Sequence, residues 1–355
     1  MTPPVQPEIA ATASPVEASQ LAALLQHAGL SRLDQTGWIR VTGGDRVRWL
    51  NGMVTNSVQQ LQSGHGAYNF FLNAQGRIQG DAIVFAQPES LLIETTSTQI
   101  STLLAFLDRF IIMDDVELAD TTQSRSGILV AGPASSSLLA EIGLKIENLG
   151  PLSTQTISWD GATVTVIHAY SPLVPRFELW IDLQYADKLV DALRRAGTSL
   201  CGPQALEWLR ILEGTPRYGT DIRDRDLPQE TGQARALHFN KGCYLGQEIV
   251  ERIRSRGNVH RTFTAFQLEK ELPATPSTML EADGKQVGEL TSVAAIPLYA
   301  SGLENIQLGL GYIRREVLDR NLPIHYLGGI AIPISLPFFA AAPSASRDAS
   351  ETERA

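Results

Sequence analysis

The chain has 355 residues, 43% hydrophobic and 19% charged, which is enough apolar side chain for a sizeable core and too long for a single one, so two or three structural units are expected. A formal net charge of −9 excludes broad electrostatic attachment to nucleic acid or anionic lipid, because polyphosphate binding rests on clustered Lys and Arg. Two cysteines, Cys201 and Cys243, exclude a disulfide framework and favour a reducing cytoplasm; no apolar run approaches the roughly 18 residues that span a membrane.

Residues 1–20 have neither a basic n-region nor an apolar h-region and read as a solvated tail, as does the polar stretch 341–355. Next, "WIRVTG" predicts a strand, and Asp45 caps a predicted helix with apolar positions Val47, Leu50, Val54, Val58 and Leu61. "GAYNFFLNAQGRIQGDAIVFAQPESLLIETT" predicts a meander of three strands broken at "NAQG" and "QPES". A helix and strand follow in "TQISTLLAFLDRFIIMDDVELAD", then strand, turn and helix in "GILVAGPASSSLLAEIG". Strands "ATVTVIHAY" and "FELWIDL" precede the helix "ADKLVDALRRAG". Strand runs interleaved with helices predict an α+β body over 21–261, with an approximate break near 125. From 262 to 340 the short β-rich pieces "TFTAFQLE", "KQVGELTSVAAIP", "IQLGLGYI" and "GIAIPISLPFF" predict a small β-barrel or sandwich.

Chemistry-bearing residues concentrate in 209–263. Glu230 follows Pro228 on a constrained segment; a carboxylate so positioned can take two parallel hydrogen bonds from a pterin- or purine-like ring, or simply stabilise a helix N-terminus. Lys241, Arg252, Arg254, Arg256 and Arg261 stand against Glu248 and Glu251, a basic stretch that suits an anionic cofactor tail or a solvated strand face with surface ion pairs. Cys243, in "KGCYLGQE", reads as a small core residue, a metal ligand or a thiol activated by its basic neighbours. His168, Trp38, Trp208 and Cys201 read as packing residues.

"KGCYLGQEIVERIRSRG" resembles the signature of the YgfZ-type folate-binding proteins, relatives of the glycine-cleavage T-protein, an aminomethyltransferase. "VTGGDRVRWLNGMVTNSVQQL", "LNAQGRIQGDAIVF", "LDRFIIMDDVELAD", "ILVAGPAS", "EGTPRYGTDI" and "LPQET" extend the resemblance over about residues 36–263. It implies two α+β units around a central folate pocket with a C-terminal barrel, and tetrahydrofolate or a derivative as ligand. By similarity Glu230 holds the pterin, Asn56 and Tyr68 line the pocket, and Cys243 is the functional thiol; Lys241 and Arg261, from the basic stretch, are the further cofactor-binding candidates. The implied role is support of iron–sulfur cluster assembly or repair, with iron–sulfur clients or assembly proteins as partners and no sign of a stable oligomer; a monomer is expected. The T-protein has paired aspartates where this chain has Gly80 and Asp81, which weakens the alternative of an aminomethyltransferase or other one-carbon transferase, in which Asp81 is catalytic.

Overall fold

The computed structural model describes residues 14–257, 259–269, 277–298 and 305–338. The expected tails at 1–13 and 341–355 lie outside the described residues, but 15–20 are not tail. They open helix α1 (Pro15–Gln26), because Ser14 and Glu17 form a reciprocal capping box, each backbone N–H donating 3.2 Å to the other's side chain, with Pro15 at the first turn.

Two open sheets face one another. The first has the order β3-β4-β5-β2-β6, built from β2 (Thr36–Thr42), β3 (Gly66–Leu72), β4 (Ile78–Ala86), β5 (Leu91–Thr96) and β6 (Glu117–Asp120), with helices α2 (Arg46–Asn51) and α3 (Ile100–Asp108) on its outer face. The second has the order β11-β1-β7-β10-β9-β8. It takes β1 (Gly29–Arg32) from the start of the chain and β7 (Ser126–Ala131), β8 (Thr154–Trp159), β9 (Ala162–His168), β10 (Arg176–Ile181) and β11 (Ser199–Leu200) from the middle. Helices α4 (Ser135–Glu141) and α5 (Ala186–Arg195) cover its outer face. Helix α2 is shorter than its sequence period predicts. It stops at Asn51, whose Oδ1 accepts from the N–H of Val58 at 3.1 Å, and Val54, Val58 and Leu61 reach the same core from the loop beyond.

Register fixes what each inner face carries. In β4–β5, Ile83 pairs with Glu94, and in β2–β5, Trp38 pairs with Glu94; partners across a ladder share a face, and so do residues two apart. Tyr68, Asp81, Ile83, Phe85, Glu94 and Trp38 therefore lie on one face of the first sheet. Arg176, Glu178 and Trp180 share the facing side of β10. Phe85 and Trp180 meet edge-on at 5.1 Å, and Trp38 and Trp180 at 5.9 Å, closing the seam with rings that each remove roughly 150–250 Å² from water, about 4–6 kcal/mol gross.

Helix α6 (Pro203–Glu213) packs with α1 against the third unit, a closed barrel in the order β12-β15-β14-β13-β16-β17. Its strands are β12 (Arg261–Leu268), β13 (Met279–Ala282), β14 (Lys285–Ile296), β15 (Ile306–Arg314), β16 (His325–Tyr326) and β17 (Gly329–Ile334), with the short α8 (Arg315–Asp319) after β15. The mixed α+β body with a terminal barrel is the architecture expected. The arginine-rich run 252–256 belongs to helix α7 (Gln247–Arg256), where Arg252 pairs with Glu248 at 2.5 Å and Arg254 with Glu251 at 3.5 Å, not to a strand face.

Candidate functional site

Asn56, Tyr68 and Asp81 come together at one end of the seam. The Tyr68 hydroxyl donates to Asp81 Oδ2 at 2.7 Å and Gln99 Nε2 to Oδ1 at 2.9 Å, so both carboxyl oxygens are held. Burial nonetheless raises the Asp81 pKa, because two neutral donors only partly replace water. Asn56 Nδ2 donates to the carbonyls of Tyr68 (3.2 Å) and Arg235 (2.9 Å), tying β3 to the loop that carries Arg235.

Deeper in the seam lie residues that the sequence reading missed. Glu94 and Glu178, one from each sheet, are 8% and 7% exposed, and each carboxyl lies close enough for Glu178 to act on the ionisation of Glu94. Burial and the neighbouring Glu178 raise the Glu94 pKa well above the ordinary carboxylate range. Arg176 Nη2 lies 3.2 Å from Glu178 Oε1, and Glu213, at the end of α6, is buried and accepts from the Ser171 hydroxyl. Around this pair Glu94 Oε2, Arg176 Nε, Arg125 Nε, Trp38 Nε1 and Trp180 Nε1 are buried without hydrogen-bond partners among the described residues. Buried polar atoms are almost always paired, so orphans of both senses gathered at one seam mark a place where something else supplies the bonds. The available sequence signal was a glutamate at an inward position of an otherwise apolar strand, in "LLIETT" and in "RFELWI".

Of the other expected site residues, Lys241 reaches Asn56 directly, and Glu230 and Arg261 lie about Tyr312, which acts on Tyr68. Glu230 is buried with both oxygens engaged: Arg261 Nε reaches Oε1 at 3.1 Å, while Arg261 Nη2 and the Leu227 N–H reach Oε2 at 3.0 Å. Arg261 also donates to the fully buried Asp226 at 2.6 Å, at the foot of the barrel. Lys241 Nζ donates to the carbonyls of Asn51, Val54 and Asn56 at 2.6–2.7 Å. Burial pulls its pKa down to about 7, but three acceptors match the three N–H bonds of the ammonium form alone. That anchorage, with Gly246 at φ +82° where a Cβ would sit 2.6 Å from the carbonyl of Asn73, sets the turn on which Cys243 is exposed. Among the described residues no group of three or more His, Cys, Asp or Glu could hold a metal ion. Cys201 is buried, its thiol pushed up to about 11, and His168 Nδ1 bonds the carbonyl of Leu149 at 2.9 Å.

Residues 5–241, about two thirds of the chain, match the family signature described as the GCVT N-terminal domain. The chain belongs to the GCVT-domain family. Among this family's named relatives, an aminomethyltransferase from a Nostoc strain is 26% identical over 88% of this chain and 85% of its own length. A chloroplastic protein of Arabidopsis thaliana, named as a candidate transferase, is 27% identical over 80% of this chain, which spans 65% of that relative's length. The aminomethyltransferase T of the glycine cleavage system from Bartonella henselae shares the fold with a TM-score of 0.80 at 19% identity, over 91% of this GCVT-domain chain and 89% of that one. No helix among the described residues is long and apolar enough to cross a membrane.

Proposed function

We propose that the seam between the two sheets binds a reduced folate, tetrahydrofolate or a derivative, and that the observation carrying this reading is the cluster of orphaned buried polar atoms around Glu94 and Glu178. The donor set fits a flat bicyclic ring. Glu178 and the free oxygen of Glu94 accept from adjacent ring N–H groups, the Arg176 and indole N–H groups donate to ring acceptors, and the three aromatic side chains supply apolar wall. Asp81 lies on the same sheet face, one diagonal step from Glu94, roughly 7–8 Å in a sheet of ordinary geometry. It holds or releases a proton beside the bound ring. In this reading Glu230 is not the residue that grips the ring, since Arg261 already takes both its oxygens.

Within the family this chain works as an accessory protein of iron–sulfur enzymes in the cytoplasm, not as an ordinary aminomethyltransferase. The octet around Cys243 and the exposure of that thiol on an anchored turn support the role, and Gly80 stands where the transferase resemblance expects a second aspartate beside Asp81. Retention of Asp81 in a held geometry, together with relatives named aminomethyltransferase, favours the second reading, a one-carbon transferase.

Calorimetric titration with tetrahydrofolate tests the pocket: Glu178→Gln is expected to weaken binding about 10–100-fold, and unchanged affinity removes the assignment. In cells Cys243→Ala is expected to lower iron–sulfur enzyme activity while folate affinity stays. Turnover of an aminomethylated carrier protein that Asp81→Asn abolishes decides for the transferase.

A further inference from the structure

Arg235 is a half-buried guanidinium held over two rings, its Cζ 4.2 Å from the ring centre of Tyr68 on the first sheet and 3.7 Å from that of Tyr170 on the loop after β9. Its Nε donates to Gln233 Oε1 at 3.1 Å, and among the described residues no carboxylate lies within ion-pair distance of it. Asp81 acts on it through charge, but both Asp81 oxygens are committed to Tyr68 and Gln99. With two rings against the guanidinium and Nε held by Gln233, the edge carrying the two terminal nitrogens is the one suited to a forked, bidentate carboxylate contact. The backbone behind the guanidinium is fixed, because Asn56 bonds the Arg235 carbonyl. Tyr170 is 40% exposed, so this stack stands at the open end of the seam, with Asp81 and then Glu94 further in.

We propose that the terminal edge of Arg235 receives the glutamyl carboxylate of the folate, and so discriminates a full folate from a bare pterin. The proposal rests on the folate reading above. It makes Arg235 the specificity determinant at the mouth, while the carboxyl pair at the floor recognises the ring.

The test is calorimetry with tetrahydrofolate and with 6-methyltetrahydropterin, which lacks the aminobenzoyl-glutamate portion. Wild type is expected to bind tetrahydrofolate more tightly. Arg235→Gln is expected to weaken tetrahydrofolate about 10–100-fold with the pterin unchanged, and Arg235→Lys, which keeps the charge but loses the fork, to fall between. Thermal unfolding of both variants establishes that they fold. Equal weakening of the two ligands by Arg235→Gln, or an undiminished preference for tetrahydrofolate, overturns the proposal while the folate reading stands. Wild type that binds neither ligand sinks the folate reading and this one with it. Competition by glycine and not by p-aminobenzoylglutamate assigns the carboxylate to an amino-acid substrate and overturns it too.

Discussion

Glu94 shows how one buried acid ties stability to pH. Its carboxyl has an ordinary value of 4.5 and a raised one in the folded chain, because burial penalises the charged form and the neighbouring Glu178 adds to that penalty. Below the ordinary value both folded and unfolded chains are protonated and burial carries no ionisation cost. As pH rises from the ordinary value up through the folded one, the unfolded chain ionises first while the folded chain keeps its proton, so stability falls across that window. Glutamine has the same shape and does not titrate. Glu94→Gln is therefore expected to have a higher Tm than wild type at pH 8, by about 2–4 °C for each kcal/mol relieved, with the gap closing toward pH 4–5. A gap that is flat across that range in scanning calorimetry would show that Glu94 is not the protonated partner.

The loop from Lys241 to Gly246 behaves as one element because a single side chain pins it. Lys241→Met leaves the carbonyls of Asn51, Val54 and Asn56 without their shared donor, an expected cost of about 1–3 kcal/mol. Hydrogen exchange should rise at 241–247 and 51–58 together, while the barrel stays protected; a uniform rise would mean that the lysine acts on global stability alone. Elements with a clean period were legible in the sequence: the three-strand meander of 66–96 and helix α3 alternate or recur as one sheet face or one helix stripe requires. Helix α7 was not, since its arginines and glutamates carry charge on most faces and its start rests on a left-handed glycine, with no capping side chain. The candidate site was half legible. Asn56, Tyr68 and Asp81 sit near each other in sequence, the latter two on one sheet, whereas Glu94 and Glu178 meet only because two sheets separated by some 80 residues of chain stack face to face.

At the scale of the molecule, ionic groups at the foot of the barrel join it to the body. Asp221, fully buried, accepts from Arg210 and from Thr291 and Ser292 of β14; beside it Arg261 spans Asp226 and Glu230, and Arg223 grips Glu289 of β14 at 2.7 Å. Removing one partner of such a network strands the rest without water, so Arg261→Met is expected to cost about 3–5 kcal/mol and to let the barrel melt ahead of the body. A single unchanged calorimetric transition refutes that. Glu230→Gln should likewise lower the Tm and leave folate affinity nearly constant; an affinity loss at intact stability would return Glu230 to the ring. The indoles of Trp38 and Trp180, crossed at 76° where the two layers touch, give the protein a built-in optical gauge. A guest that wedges the layers apart, or quenches the rings by lying on them, must change their emission colour or yield, so occupancy can be followed without attaching any dye.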